Sequence, residues 1–216
     1  MIDLNNYGWA GGLELMKQRS THSALPHGRI AVAHRTCYEV VSGDGSSLCE
    51  LTGGMMYGKS DFELPCVGDW VIFQPFDDGK GIIVDMLPRR QALYRRKSGT
   101  VADKQAIASY VDKAFIVQSL DDNFNIRRAE RFMVQVLEEG VEPVMVLNKA
   151  DLDHDRAEVD EELRRISSRM PVFFTSVHRP ETISRLRESI SVGQTVVFVG
   201  SSGVGKSSLV NALCEK

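Results

Sequence analysis

Several kinds of residue pattern are scarce in this chain of 216 residues, and each scarcity removes a class of protein. Four cysteines, Cys37, Cys49, Cys66 and Cys214, stand far apart with no C-x-x-C pair, which indicates neither a disulfide framework nor a zinc site. Reduced core thiols are the reading that remains. Five histidines, His22, His27, His34, His154 and His178, show no ligand spacing. No apolar run approaches membrane-spanning length, and Met1 to Asn6 lacks the basic and apolar regions of a signal peptide. The expectation is a cytoplasmic protein with no membrane partner. Neither sign of charge dominates: the net charge is −3, with 25 % charged and 43 % hydrophobic residues, which suits one or two globular domains with sizeable cores.

What is present is sharper. Gly200-Ser201-Ser202-Gly203-Val204-Gly205-Lys206-Ser207 is a complete G-x-x-x-x-G-K-S loop. Its glycines let successive backbone N–H groups face phosphate oxygens, and a helix starting near Gly205 adds the positive end of its dipole. Lys206 would reach the β- and γ-phosphates and the Ser207 hydroxyl would ligate Mg²⁺, an ion that prefers oxygen donors. These two residues are the catalytic candidates, and Ser207 is the metal candidate. Ser208 extends the loop. The context agrees: Thr195-Val196-Val197-Phe198-Val199 reads as a buried strand, and Leu209, Val210 and Leu213 follow at helical spacing.

A second motif precedes the first. Pro143-Val144-Met145-Val146-Leu147 is an apolar strand that delivers Asn148-Lys149-Ala150-Asp151 at its carboxyl end, where parallel α/β sheets place ligands. The Asp151 carboxylate accepts only, so it matches the ring N–H and exocyclic amine of guanine, a donor pair that adenine lacks. Asn148 would bond the ring or tie this loop to the phosphate loop, and the Lys149 stem would lie over the base. Taken alone, the tetrad could be a turn capping the acidic helix expected near Asp153 to Arg165. Further on, Val172-Phe173-Phe174 ends in Thr175-Ser176-Val177, the place for a loop whose N–H, at Ser176 or Val177, meets the guanine carbonyl; a cap for a helix at Glu181 to Ser189 reads as well. The tetrad lies upstream of the glycine loop, the reverse of the order in ordinary GTPases. That exchange points to a circularly permuted GTPase.

The chain changes character between residues 88 and 104. Upstream, short β-rich runs at Arg29 to Val41, Ser47 to Leu51, Val67 to Phe73 and Gly81 to Met86 alternate with turns at Ser42-Gly43-Asp44-Gly45 and Asp77-Asp78-Gly79. About five strands in about sixty residues fit an OB-fold, with an SH3-like barrel equally compatible. Downstream, strands alternate with helices, beginning with Ala114 to Leu120 and a helix from Ile126 to Gly140, which means a parallel α/β sheet. The expected fold class is an all-β barrel followed by an α/β P-loop GTPase domain. The divisions are an extension at 1–27, the barrel at 28–88, a linker at 89–104 and the GTPase region at 105–216. Arg89, Arg90, Arg95, Arg96, Lys97 and Tyr94 in the linker suggest contact with an RNA backbone, and a merely solvated linker reads almost as well.

With these motifs in view, the sequence resembles the ribosome small-subunit-dependent GTPase A family (RsgA, also called YjeQ) from Gly28 to Lys216. The residues that carry the resemblance are Val67-Gly68-Asp69-Trp70-Val71, Leu87-Pro88-Arg89-Arg90, Val111 to Leu120, Phe124-Asn125-Ile126-Arg127-Arg128-Ala129-Glu130-Arg131, and the tetrad and glycine loop in permuted order. Residues 1–27 match loosely, through Tyr7-Gly8-Trp9. The resemblance implies an OB-fold, a permuted GTPase domain binding GTP, GDP and Mg²⁺, and a zinc-binding domain whose ligands lie outside this chain. It also implies late maturation of the small ribosomal subunit, with rRNA touched by the barrel and linker. The switch threonine and a D-x-x-G motif are not found after Ser207; Asp78-Gly79-Lys80-Gly81 matches D-x-x-G but sits in a barrel turn. The expectation is the N-terminal part of a longer GTPase, binding nucleotide with negligible hydrolysis as it stands. Two alternatives stay open: an RNA- or ribosome-binding module with a vestigial nucleotide site, and a P-loop ATPase with a coincidental tetrad.

Overall fold

The computed structural model describes residues 1–57, 59–60, 62–96, 104–164, 166 and 168–215, and the chain divides into two units, Met1–Val111 and Asp112–Lys216. The first unit is built on five strands: β1 (His27–Ala33), β2 (Tyr38–Ser42), β3 (Gly45–Leu51), β4 (Trp70–Pro75) and β5 (Lys80–Met86). They close into a barrel in the order β1-β2-β3-β5-β4. A simple meander would place β4 beside β3. Here the segment between them, which includes the short helix α2 (Gly53–Met56), carries the chain across the barrel, so β5 enters parallel to β3 while the other neighbours pair antiparallel. That Greek-key order is the OB-type arrangement, and it decides between the two barrels open to the sequence.

The strand β4 shows how the barrel is covered. Val71 and Phe73 point inward to Ile30, Val40, Cys49 and Ile83, while Trp70 and Ile72 belong to a second cluster with Leu13 and Leu87. A strand buried on both faces cannot show polar alternation. The cover on its outer face includes the N-terminal helix α1 (Gly11–Gln18) through Leu13, and Trp9, whose ring lies 3.8 Å from that of His27 and edge-on to Trp70 at 4.8 Å. Residues 1–27 are therefore part of the barrel's packing. The Gly43-Asp44 turn joins Ser42 to Gly45 across β2 and β3, and Asp78, at φ 66°, turns the chain between β4 and β5. The string Asp78-Gly79-Lys80-Gly81 accordingly lies at a hairpin.

Part of the segment read as a linker is ordered as a hairpin, β6 (Leu93–Arg96) against β7 (Lys104–Ala108). Arg89 is also not a free cation. Its guanidinium donates to the buried carboxylate of Asp69 at 2.6 and 2.9 Å and to the carbonyls of Phe62 and Leu64, while the N–H of Cys66 donates to the same carboxylate at 2.8 Å. Lys97, Ser98 and Gly99 lie outside the described residues.

The second unit is a parallel sheet of β8 (Lys113–Ser119), β9 (Glu142–Asn148), β10 (Val172–Phe174) and β11 (Val196–Val199), in the order β10-β9-β8-β11. One face packs on α3 (Ile126–Glu138) and α4 (Arg156–Leu163), through Ile116, Leu120, Ala129, Met133, Met145, Leu147 and Val159. The other face packs on α5 (Pro180–Glu188) and α6 (Lys206–Leu213), through Phe115, Val117, Val146, Ile183, Leu186 and Leu209. Buried residues Ile126, Ala129, Met133 and Val136 recur every three or four positions, as a helix stripe must. The helix α4 starts later than its sequence pattern suggests because the Asp155 carboxylate caps the N–H groups of Ala157 and Glu158. The strand β11, expected to be buried, is half-buried, since it pairs with β8 alone among the described residues.

The chain runs outward from β8 to β10 and then returns to the far side of β8. Such a reversal opens a crevice at the carboxyl ends of the strands on either side of it. Among the described residues, no helix is long and apolar enough to cross a membrane.

Candidate functional site

The glycine loop connects β11 to α6, and its first and last glycines are demanded by close approach. Gly200 has φ 147°, and a Cβ there would fall 2.4 Å from the carbonyl oxygen of Val117 on β8. Gly205 has φ 91°, and a Cβ there would fall 2.3 Å from Nδ2 of Asn148. Any side chain at Gly205 would thus displace the first residue of the tetrad. Between them Val204 is buried and Ser202 and Gly203 are exposed. Lys206 extends its Nζ back over the loop to the carbonyls of Gly200 at 3.0 Å and Ser201 at 2.5 Å. Ser207 and Ser208 are exposed in the first turn of α6, a helix start with no side-chain cap.

Asn148 is the keystone of the crevice. Its Nδ2 donates to the carbonyl of Val204 at 2.9 Å, and its Oδ1 accepts from the Thr175 hydroxyl at 3.2 Å. Of the two roles open to Asn148 from sequence, the tie to the glycine loop is the one the geometry displays. The backbone adds a second tie, Ala150 N–H to the carbonyl of Thr175 at 3.0 Å. Three loops that are 27 and 56 residues apart in sequence are locked by one buried carboxamide.

Of the remaining tetrad residues, Lys149 and Asp151 line a cleft. Lys149, Asp151, Leu152, Val177, His178, Gly205 and Ser208 surround it together with Asn148. Lys149 adopts the left-handed region at φ 59°, and its ammonium bonds the Asp121 carboxylate at 2.7 Å. That bond, with the Ser119 hydroxyl next, holds Asp121 at a pKa of about 2, below the usual carboxylate range. The Asp151 carboxyl is likewise held low, first by the Ser176 hydroxyl and then by its own backbone N–H. A carboxylate that stays ionised and acceptor-only is what a base offering two N–H donors requires. The Ser176 N–H already donates to the Thr182 hydroxyl at 3.0 Å, and of the pair Ser176 and Val177 it is Val177 that lines the cleft. Neither Thr175 nor Ser176 caps α5, whose first residue follows an uncapped Arg179.

The donor set can be tested against the groups expected. A phosphate chain fits, because Gly200, Gly203 and Gly205 take positive φ and the crown of the loop at Ser202 and Gly203 is exposed. Mg²⁺ fits the exposed Ser207 hydroxyl at the head of α6. Zinc does not fit: among the described residues no group of three or more His, Cys, Asp and Glu side chains could hold a metal. Burial pushes the Cys49 thiol up to about 11 and the Cys66 thiol up to about 12, which keeps both protonated.

Sequence reasoning passed over Asp121 and Arg128. Asp121 follows β8 directly, and the rule that ligands gather beyond strand carboxyl ends would have flagged it. Arg128 donates from Nη1 to the Ser201 hydroxyl at 2.8 Å, a contact across 73 residues that no local pattern announces.

A parallel sheet, a G-x-x-x-x-G-K-S loop after its last strand and a guanine-type tetrad on an earlier strand define a P-loop GTPase fold in circular permutation. The RsgA GTPase family model matches residues 86–216. The small ribosomal subunit biogenesis GTPase RsgA 1 of Bacteroides thetaiotaomicron is 67 % identical over 214 residues, covering 99 % of this chain and 60 % of that protein. RsgA 2 of Lactiplantibacillus plantarum is 36 % identical over 215 residues, covering 98 % of this chain and again 60 % of the relative. Among solved structures, YjeQ from Thermotoga maritima matches with a TM-score of 0.68 at 29 % identity, over 87 % of this chain and 64 % of that one. YloQ, described as a circularly permuted GTPase, matches with a TM-score of 0.64 at 25 % identity, over 89 % and 66 %. The chain belongs to the RsgA GTPase family. It spans about 60 % of the length of these two curated relatives.

Proposed function

We propose that the α/β unit binds guanine nucleotides with Mg²⁺, and that the protein is a GTPase acting in biogenesis of the small ribosomal subunit. The observation that carries this reading is the bond from Asn148 to Val204, which joins the base-reading loop to the phosphate-reading loop. In this reading Gly200, Ser201, Ser202, Gly203, Val204 and Gly205 present backbone N–H groups to the phosphates, Lys206 supplies the cation, and Ser207 and Ser208 close the loop at the helix start. Asp151 accepts from the ring N–H and amine of guanine, Val177 N–H donates to its carbonyl, and Lys149 covers the ring with its stem while Asp121 steadies its ammonium. Ala150 keeps the loop against Thr175. Ser207 would hold Mg²⁺ through its hydroxyl, and the ion would supply neutralisation of phosphate charge.

The relatives' names carry the small-subunit assignment, and a cytoplasmic site of action follows from that partner. The barrel is the element we assign to ribosomal RNA, since OB-type barrels present strand faces to oligonucleotides. Arg90 is exposed beside it and is the first cation to test. Zinc has no ligands among the described residues and enters no step here.

The test is competition for a fluorescent GDP by GDP, GTP, ADP and XDP in the presence and absence of Mg²⁺. Displacement by guanine nucleotides alone is expected. Equal displacement by ADP would replace this reading with that of an ATPase, and no GDP binding would leave an RNA- or ribosome-binding module with a vestigial site.

A further inference from the structure

One short segment, residues 119–128, reaches both loops of the crevice. Asp121 holds Lys149 on the base side, and Arg128 holds Ser201 on the phosphate side. The phosphate loop is gripped at its ends, by the close approach of Gly200 to β8 and by Asn148 at Val204. Its crown is not gripped by packing: Ser202 and Gly203 are exposed, and a Cβ at Gly203 would meet nothing within 4 Å. Ser201 is where polar anchors enter, its carbonyl taken by Lys206 and its hydroxyl by Arg128.

Arg128 is itself well placed to act as a fixed point. The Asn125 side chain accepts from the Arg128 N–H at 3.0 Å, and the flanking Ile126 and Ala129 are buried in the core. The guanidinium brings a positive charge and a planar fork of donors to the side of the loop. We propose that Arg128 is a positioning residue of the phosphate loop: it sets the crown through Ser201 before nucleotide arrives and contributes a fixed positive charge beside the phosphates. A loop held in its binding shape avoids the ordering cost that a mobile loop would carry at each binding event. This rests on reading the glycine loop as the phosphate site of a guanine nucleotide.

The experiment compares GDP and GMP as competitors of a fluorescent GDP on the full chain, for wild type, Arg128→Met, Arg128→Lys and Ser201→Ala. Arg128→Met keeps the apolar stem and removes charge and donor. It is expected to weaken GDP about tenfold, equivalent to ~1.4 kcal/mol, and GMP no more than about twofold. Arg128→Lys should fall between, since it restores charge without the planar fork. Ser201→Ala should weaken GDP in the wild-type background and add little in the Arg128→Met background, the signature of one shared interaction. Equal losses for GDP and GMP would mean a general disturbance of the fold and would overturn the proposal, as would additive effects of the two substitutions. If Arg128→Met does not fold, the GDP-to-GMP ratio of Ser201→Ala and Arg128→Lys decides by the same criterion. Wild type that binds no guanine nucleotide would refute the underlying reading; wild type that binds alongside unaffected variants would refute this inference alone.

Discussion

The two units of the chain use buried and half-buried polar groups for opposite ends. In the barrel unit, Asp69 is sealed from solvent and holds Arg89, while Arg89 in turn gathers the carbonyls of Phe62 and Leu64. Every partner there is a neighbour within the same packing, so the cluster fixes one piece of chain against another. In the α/β unit, Asn148, Asp121 and Arg128 bond to loops that a ligand would touch. The same chemistry stabilises a core in one unit and, in the other, arranges the loops to which we assign the nucleotide. Polar burial by itself therefore does not mark a functional site; what the polar group holds does.

The sharpest way to break this comparison is Asp69→Ala, which leaves the Arg89 guanidinium without its carboxylate. The expected loss is about 3–5 kcal/mol of barrel stability. Both tryptophans, Trp9 and Trp70, lie in the barrel unit, so urea unfolding followed by their fluorescence reports on it directly. GDP binding should persist in conditions where the barrel is still folded. Loss of GDP affinity equal to the loss of stability would erase the distinction between the units.

The next largest effect should come from Asp151→Asn. Guanine nucleotides should weaken roughly thirtyfold, because an ionised acceptor is replaced by a side chain that also presents donors to donors. Xanthine nucleotides should gain, since a carbonyl replaces the amine and can accept from the new N–H₂. Titrating both proteins with fluorescent GDP and XDP reads the outcome, and an unchanged guanine preference would remove Asp151 from the base site.

Asn148→Ala should combine both themes. It strands the Val204 carbonyl and the Thr175 hydroxyl, which costs about 1–3 kcal/mol of stability in the α/β unit. Nucleotide affinity should fall as well, because the two loops lose their tie. Hydrogen exchange at Ala150 and Thr175, whose N–H groups bond the carbonyls of Thr175 and Leu147, locates the loss; protection unchanged at both positions would contradict the keystone role.

The smallest expected effect is a pH dependence. Asp121 has its folded pKa depressed to about 2 from an ordinary 3.8, so its ion pair with Lys149 contributes stability that is present above pH 4 and is lost as pH falls toward 2. The pair is partly solvated, so the contribution is under about 1 kcal/mol. The stability difference between wild type and Asp121→Asn should shrink over that window and vanish below it. A difference that stays constant from pH 6 to pH 2 would assign the effect to packing.

How much of this was visible in the sequence depends on the range of the interaction that makes it. The glycine loop and the tetrad are local, and their residue types are forced by backbone geometry, so Gly200 to Ser207 and Asn148 to Asp151 could be read directly. The helix α3 was legible because Ile126, Ala129, Met133 and Val136 keep one stripe. The choice of an OB-type barrel was not, because strand periodicity carries no information on whether β5 lies beside β3. The role of residues 1–27 was hidden for a related reason: nothing in Trp9 or Leu13 tells which strand they cover. Hairpin β6–β7 escaped because its strands are short and rich in cations, a composition that resembles a solvated connector. Arg128 and Asp121 escaped because their partners are 73 and 28 residues away.

The position of β8 has a consequence for the chain as it is made. It is the first strand of its sheet to be synthesised, yet it ends up in the interior, with β9 on one side and β11 on the other. The partner on the second side arrives 83 residues later, as the Asp112 to Thr195 contact measures. At about 5–20 residues per second, Ala114 to Val117 wait roughly 4–17 s with one edge bare. Permutation thus gives the nascent chain a long interval in which a strand buried along almost its whole length in the folded unit is open to wrong partners, and makes β11 the strand whose late arrival ends that exposure.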